Sequence, residues 1–545
     1  MNRAAWDFVV VGSGFGGSVS ALRLSEKGYR VLVLERGRRF GRDDFPRSNW
    51  NLRRYLWAPR LGLRGIMKLT YLRHVTALSG AGVGGGSLVY ANTLPVPKDP
   101  FFSAPSWAGL ADWKSELAPH YQTALRMLGA NRTPFLTPPD EVLREVARDI
   151  GRPEAFEPTQ VAVYFGEPGV AVPDPYFGGE GPARSGCTRC GGCMVGCRHG
   201  AKNTLDQNYL FLAERRGAVI QADSDVTWVR PSPGGGWEVT ARVGRHALTW
   251  LNRRRTVHAA NVIFAGGVMG TVPLLLRLRE SPDGVPGLSP RLGHFVRTNS
   301  EVLVGVVSRK RALDLSQGIA IGSIVHTDEH SHLEPVRYPA GSGFFRLQAM
   351  PMATGETALA RLGDALARTL RHPWKALRAW LVSDWARSTM ILLFMRTVDG
   401  SLRMRRGRSA WTLLRRGTVS ERQGDGPPAK ATDPEAAALA ERVAKKLDGF
   451  PQSMLTETLL GIPTTAHVLG GCTMGASREE GVIDLRHRVF GYDGLWVIDG
   501  SAVSANPGVN PSLTITALAE RAMTFIPPKP GAVLPPPAPL PPPAS

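Results

Sequence analysis

Two groups of residues have types and spacings suited to chemistry. The first opens the chain: Asp7-Phe-Val-Val-Val-Gly12-Ser-Gly14-Phe-Gly-Gly17, then small residues from Ser18 to Lys27, Gly28, and Val31-Leu-Val-Leu-Glu35. A glycine triplet at this spacing is weak evidence alone. Here it follows an apolar run that reads as a strand and opens a segment that reads as a helix. That helix stops at Lys-Gly, as a C-terminal cap prefers. Each residue then has a task in holding a dinucleotide. Gly12 permits a tight turn, Gly14 lets backbone approach a pyrophosphate, and Gly17 lets the helix pack on the strand. The helix N-terminus offers N–H groups and a positive dipole to phosphates. Glu35 would accept from the adenosine ribose hydroxyls, where an arginine would have suggested a 2′-phosphate. These residues alone do not separate FAD from NAD.

The second group is Cys187-x2-Cys190-x2-Cys193-x3-Cys197, the thiolate spacing of a bacterial ferredoxin cluster. Arg198 replaces the usual proline after the last cysteine, and no second cysteine set could complete a two-cluster site. Gly191, Gly192 and Gly196 permit tight wrapping, and Arg189, Arg198, His199 and Lys202 would favour thiolates or offset cluster charge. An iron–sulfur cluster, a structural zinc, and free or paired cysteines all remain open readings. A disulfide framework for the whole chain is excluded, because four of the 5 cysteines sit in this one stretch of a 545-residue sequence.

The elements that must position these groups follow from composition and patterning. A chain of 545 residues exceeds one ordinary core, so two joined domains are expected. The segments 301–307 and 319–325 alternate like half-buried strands of an antiparallel sheet. The runs 218–221 and 225–228 read as strands belonging with the nucleotide domain. Leu359 to Trp385 carries apolar residues at helical spacing with arginines between. Arg403 to Lys430 reads as a basic loop, and Pro527 to Ser545 as a disordered Pro/Ala-rich tail. The formal charge of +20 suggests attraction to an anionic surface, or simply Arg-rich codon usage. Nucleic acid is not expected, since no reader motif accompanies the charge. No secretory signal precedes the first strand and no apolar run is long enough to span a bilayer, so the expected location is cytoplasmic or peripheral to a membrane.

Three further blocks resemble the GMC (glucose–methanol–choline) oxidoreductases, and most closely their cholesterol-oxidase branch. They are Gly80-Ala-Gly-Val-Gly84-Gly-Gly86-Ser87-Leu-Val-Tyr-Ala-Asn92, then Val262-Ile-Phe-Ala-Gly266-Gly-Val-Met-Gly270-Thr, and a C-terminal run. That run comprises His467-Val-Leu-Gly-Gly-Cys-Thr-Met-Gly475, Leu495-Trp-Val-Ile-Asp499-Gly500 and Gly508-Val-Asn510-Pro-Ser. The resemblance implies an α/β fold in which non-covalent FAD sits in a doubly wound, Rossmann-like domain assembled from discontinuous segments, 1–45, 200–292 and 466–526. An α+β substrate domain with a large antiparallel sheet would comprise 46–199 and 293–465, with 80–92 contacting the flavin. It also implies that Gly84, Gly86, Ser87, Asn92, Val226, Asp499 and Gly500 join Gly12, Gly14, Gly17 and Glu35 in binding the cofactor.

The chemistry implied is alcohol oxidation, in which a hydroxyl proton leaves as hydride passes from carbon to flavin N5. An imidazole suits the proton transfer near neutral pH. His467 matches the family's active-site histidine, and Asn510 matches the amide that bonds the substrate oxygen. One departure stands out. The cholesterol oxidases carry a carboxylate on a strand for double-bond isomerisation, and here that position aligns with Gln348. Either that step is missing or Glu334 or Glu301 performs it. The cysteine run is also an insertion relative to familiar cholesterol oxidases. A cluster there would suggest electron transfer to an acceptor protein rather than to oxygen, and both acceptors stay open. The segments from Trp50 to Leu69 and Trp374 to Trp385 mix aromatic, aliphatic and cationic residues, which suits an anionic lipid interface or a helix lying over the core. The leading expectation is oxidation of a steroid or other lipid alcohol. The alternatives are a dehydrogenase of a small alcohol or sugar working through an iron–sulfur centre, and a flavin-containing lipid-binding protein without turnover.

Overall fold

The computed structural model describes residues 6–310, 312–424 and 429–537. The first sheet gathers strands from both ends and the middle of the chain. Val219–Gln221, Val31–Leu34, Trp6–Val11 and Arg253–Phe264 lie side by side in parallel. Val31–Leu34 is buried along its whole length, as a strand covered on both faces must be. Arg253–Phe264 serves two neighbourhoods. Its first residues pair antiparallel with Trp237–Val243, which pairs in turn with Ser224–Pro231. Its last three pair in parallel with Leu495–Val497. The helix Phe15–Glu26 covers this sheet and packs against Tyr209–Arg215 and Ser512–Thr524.

The second sheet has seven strands, all antiparallel, with Val302–Val307, Thr389–Arg396 and Ser331–Val336 near its centre. Strand side chains alternate between faces. On one face Val302, Val304, Val306, Met390, Leu392 and Phe394 pack in a single core with the helices Pro138–Asp149 and Pro434–Leu447. Residues of opposite parity, including Glu301, Leu303, Gly305, Ile391 and Leu393, line a cleft on the other face. The same parity puts Glu334 on the cleft side, with Val336.

Three segments differ from the sequence reading. The basic stretch after Arg403 is a hairpin, Ser401–Gly407 with Gly417–Arg422, because Leu402 and Met404 alternate into the first core while Arg405 pairs with Glu421. The Phe344–Gln348 segment is a 3-10 turn, and only Ala349–Pro351 is strand. The Pro-rich end runs back over the first strand–helix–strand unit, where the Lys529 ammonium meets Asp7 at 2.6 Å and the Tyr29 hydroxyl donates to Pro527 O at 3.0 Å. The remainder of the expected tail, 538–545, lies outside the described residues.

The first helix sits so close to its sheet that glycine is obligatory. A Cβ at Gly16 would lie 1.8 Å from Ile498 O, and one at Gly17 would lie 2.1 Å from Gly12 O. Gly16→Ala should therefore destabilise the protein by about 1–3 kcal/mol or more, seen as a lower Tm of the flavin-free chain. An unchanged Tm would refute the close contact.

Candidate active site

A single cleft of about 920 Å3 runs between the two sheets, from the glycine turn after the first strand to the inner face of the second sheet. Its nucleotide end is built from backbone. Gly14 precedes the first helix in extended conformation without a side-chain cap, which leaves first-turn N–H groups open to the cleft. Gly12 has φ +106° and no room for a Cβ, which would fall 2.5 Å from Ala265 O. Gly14 is different: the nearest protein atom to its Cβ position is 3.9 Å away. The protein itself does not require glycine there, whereas a ligand lying against the backbone does. Gly270 has open space at its Cβ position and lines the same cleft. The second glycine loop closes over the first, with Gly85 so near Gly14 that a Cβ would lie 2.7 Å from its Cα.

The expected cofactor residues divide between lining and bracing. Gly12, Gly14, Glu35, Gly86, Val226, Asp499 and Gly500 all border the cleft. Glu35 accepts from Ser13 N at 3.1 Å, Ser13 Oγ at 2.8 Å and Gly37 N at 2.8 Å, so the turn itself fixes its orientation. Asp499 takes four donors. Its Oδ1 accepts from Ser501 N and Oγ at 2.8 and 2.5 Å, and its Oδ2 from Gly267 N and Thr271 Oγ1 at 2.8 and 2.5 Å. Those four donors clasp two glycine turns together around a carboxylate that also borders the cleft. Gly17, Gly84, Ser87 and Asn92 do not line the cleft. The Ser87 hydroxyl donates to Gly84 O at 2.7 Å and accepts from Leu205 N at 3.0 Å, while Asn92 is buried beside the Cys193 thiol.

Sequence reasoning missed the hairpin floor of the cleft. Lys68, Thr70 and Ser79 border it, and the Thr70 and Ser79 hydroxyls are buried without a protein partner. Burial and the nearby Arg36 bring the Lys68 ammonium down to about 7. The signal was the alternation Lys68-Leu-Thr70 in the strand Met67–Leu72, which aims both polar side chains to one side. Orphaned hydroxyls, a cation and open glycine faces along one cleft fit a dinucleotide with anionic and hydroxyl groups.

His467 and Asn510 border the same cleft. His467 follows the short strand Thr464–Thr465, which pairs with Thr76 and Ala77. Its Nδ1 lies 2.9 Å from Glu301 Oε2, an oxygen that also accepts from Thr465 Oγ1 at 2.8 Å and Ala466 N at 3.2 Å. Burial opposes charge on the imidazole more than any other single effect, but the Glu301 and Glu334 carboxylates together outweigh it and raise the His467 pKa above its ordinary 6.5. Glu301 was named in the sequence only as a stand-in base, and its role beside His467 is a product of packing. Asn510, with its amide nitrogen turned toward Glu334, donates to Oε1 and Oε2 at 2.8 and 3.2 Å. The Asn510 loop is braced by Asn299, which accepts from Gly508 N at 2.9 Å and donates to Val509 O at 3.0 Å. Gln348 ends the 3-10 turn Phe344–Gln348 and does not border the cleft, and it accepts from the Tyr71 hydroxyl at 3.4 Å.

The cysteine run does not form the metal site its spacing suggested. Cys187, Cys190, Cys193 and Cys197 are all free, and among the described residues no group of three or more His, Cys, Asp or Glu side chains could hold a metal ion. The loop lies against a wall: Gly191 N donates to Gly318 O at 2.8 Å, and Cys193 packs with Val161, Val163 and Ile319, with Cys187 and Cys197 beside it. Burial pushes the Cys187 thiol up to about 12 and raises Cys193 as well. The neighbouring Lys202 ammonium donates to Cys193 O at 2.8 Å and Leu88 O at 3.2 Å.

A family model described as GMC oxidoreductase matches residues 404–519, and one described as NAD(P)-binding Rossmann-like domain matches residues 10–54. The chain is 44% identical over 540 residues to a cholesterol oxidase from Acinetobacter baumannii, covering 97% of this chain and 96% of that protein. It is 46% identical over 542 residues to a cholesterol oxidase from Mycobacterium tuberculosis, covering 96% and 91% respectively. Among solved structures, pyridoxine 4-oxidase from Mesorbium loti superposes with a TM-score of 0.59 at 16% identity, over 95% of this chain and 99% of that one. That last likeness concerns the fold alone.

The Gly14 geometry yields a test complementary to that of Gly16. Gly14→Ala should leave the Tm of the flavin-free chain unchanged and weaken dinucleotide binding by about tenfold or more, because the methyl group intrudes only on the ligand. Equal affinity, measured by flavin fluorescence titration, would refute that role.

Proposed function

The chain belongs to the GMC oxidoreductase family, and we propose that it oxidises the hydroxyl of a steroid or similar lipid alcohol to the ketone, with FAD as oxidant. The observation that carries this reading is a cleft whose one end is a glycine cradle and whose other end is apolar. Leu303, Ile321, Val336, Phe345, Ile391 and Leu393 form that apolar end, and His467 and Asn510 stand on the same cleft. Such walls suit a large apolar substrate with one polar group to orient. They offer little to the several hydroxyls of a sugar. The small-alcohol alternative also relied on an iron–sulfur centre, for which the cysteine run supplies no converging ligand set.

In this reading His467 is the base. Glu301 engages Nδ1 and leaves Nε2 to take the hydroxyl proton, directly or through a water. Glu334 engages one side of the Asn510 amide nitrogen, and the remaining N–H is free for the substrate oxygen. FAD, when bound, accepts the hydride from the carbinol carbon, and the protein supplies orientation and the proton acceptor. Glu301 and Glu334 are both held by partners, His467 and Asn510, and Gln348 carries no carboxylate, so any later shift of a steroid double bond falls to one of those two.

Anaerobic addition of cholesterol to the holoenzyme should bleach the flavin bands. Persistence of the oxidised spectrum would remove the steroid reading. Colour returning on admission of air would identify oxygen as the acceptor, whereas a lasting reduced spectrum would point to a carrier. His467→Ala should retain flavin yet slow its reduction about a hundred- to ten-thousand-fold.

The reduction rate should also rise with pH as the imidazole loses its proton, with an apparent pKa above 6.5. Removing the Glu301 charge in Glu301→Gln should move that acid limb to lower pH. An unshifted limb would show that another group titrates.

A further inference from the structure

Consecutive helices Ala358–Arg371 and Pro373–Leu381 present their apolar faces to solvent. The first buries Arg361 and Ala365 and exposes Leu359, Leu362, Leu366 and Leu370, with Leu359 81% and Leu370 69% accessible. The second buries Ala376 and Ala379 and exposes Trp374, Leu377, Trp380 and Leu381, with Trp374 72% and Leu381 70% accessible. This is the reverse of a helix lying over a core. The orientation is fixed from below. The Arg361 guanidinium donates to Thr458 O at 2.9 Å, Gly355 O at 3.1 Å and Glu356 O at 3.0 Å, and Ala376 and Ala379 pack on Val307 and Phe450. Rolling the leucines inward would strand a buried cation.

The charges bordering this face are in basic excess, with Glu356 the acidic residue outside the ion pairs. Asp364 and Glu441 pair with Arg368, and Asp448 lies 2.9 Å from Lys375. Arg371 and Arg378 are exposed and make no ion pair among the described residues. The patch is therefore apolar with basic edges, on a chain of net charge +20. A second copy would bring the same arginines and the same net charge against it, whereas an anionic surface is attracted. Helices of 14 and 9 residues cannot span a bilayer, and among the described residues no helix is long and apolar enough to do so. They have the character of helices that lie in the headgroup plane.

The patch is also continuous with the wall of the cleft. Val382, next after the second helix, accepts from Arg346 Nη1 at 2.8 Å, and Ala386 N donates to Ser342 O at 3.2 Å. Phe345 and Trp385, on the two segments so joined, both line the cleft. Leu347 and Trp50 are exposed beside them, Trp50 with its ring edge-on to Phe344. The Trp50–Leu69 stretch turns Tyr55, Ile66 and Met67 inward and leaves Leu61 as well as Trp50 exposed, whereas the two helices present eight exposed apolar side chains.

We propose that these two helices dock the protein on an anionic lipid bilayer and set the cleft wall against it, so that the alcohol enters from the lipid phase. Docking rests on the surface alone, and substrate delivery rests on the function proposed above. The test is flotation of the holoenzyme with phosphatidylcholine vesicles, with and without phosphatidylglycerol. Wild type should float with the anionic vesicles and lose them at high salt. Leu366→Ser/Leu370→Ser/Trp374→Ser should bind them about tenfold more weakly or worse, while oxidising detergent-dispersed cholesterol at the wild-type rate. Arg371→Glu/Arg378→Glu should weaken binding to anionic vesicles only. Wild type that fails to float, or a triple variant that floats equally well, overturns the docking. So does a wild-type dimer that the triple variant dissociates without any vesicle binding. Docked protein whose rate on vesicle-embedded cholesterol matches that of the triple variant overturns delivery. Vesicle binding without turnover in either presentation supports docking and overturns the proposed function instead.

Discussion

The structure depends on how closely one helix approaches two strand ends. Gly16 and Gly17 of the first helix meet Ile498 O and Gly12 O at separations that exclude any side chain. Through those contacts the beginning of the chain is fitted to its last strand, Leu495–Val497, and through Gly12 to the turn after Phe264. The same approach leaves the helix N-terminus uncapped at the cleft and brings the glycine loop at Gly85 onto Gly14. A cradle of backbone N–H groups is thus a consequence of packing that the fold already requires.

The reactive end of the cleft is organised by carboxylates that have partners. Glu301 stands against His467, Glu334 against Asn510, and Asp499 takes four donors from the turns on either side. Glu301 and Glu334 join the second sheet to segments distant in sequence, and Asp499 joins its own turn at Ser501 to the distant Gly267 and Thr271. A buried carboxylate without donors is costly, so these pairings fix loop conformation as well as side-chain orientation. Glu457 extends the pattern: buried, and pushed up to about 8 by that burial with Glu301 nearby, it accepts from Thr464 N at 3.2 Å and so holds the strand leading to His467.

The second sheet separates two environments by parity alone. Valines and methionines on one face meet two helices, and the opposite face is left to the cleft. The apolar cleft wall, through Phe345 and Trp385, adjoins the segment that carries the apolar outer face.

Local patterns were legible in the sequence because they are set by neighbouring residues. The glycine turn, the helix behind it and the carboxylate ending Val31–Leu34 all follow from spacing within a few tens of residues. His467 and Asn510 were found because they lie in recognisable motifs. What spacing could not supply was the partner of each group. Glu301 and His467 meet because the second sheet's register brings Glu301 beneath the strand Thr464–Thr465, and chain order does not contain that register. The cysteine run had the spacing of a cluster site and its thiols are neighbours in the fold, but among the described residues they make no group able to hold a metal, since spacing fixes how near thiolates come and not whether they aim at one point. The helices Ala358–Arg371 and Pro373–Leu381 advertised an apolar face without saying which way it points. A buried arginine decided that, and only tertiary structure reveals which residue a guanidinium must satisfy.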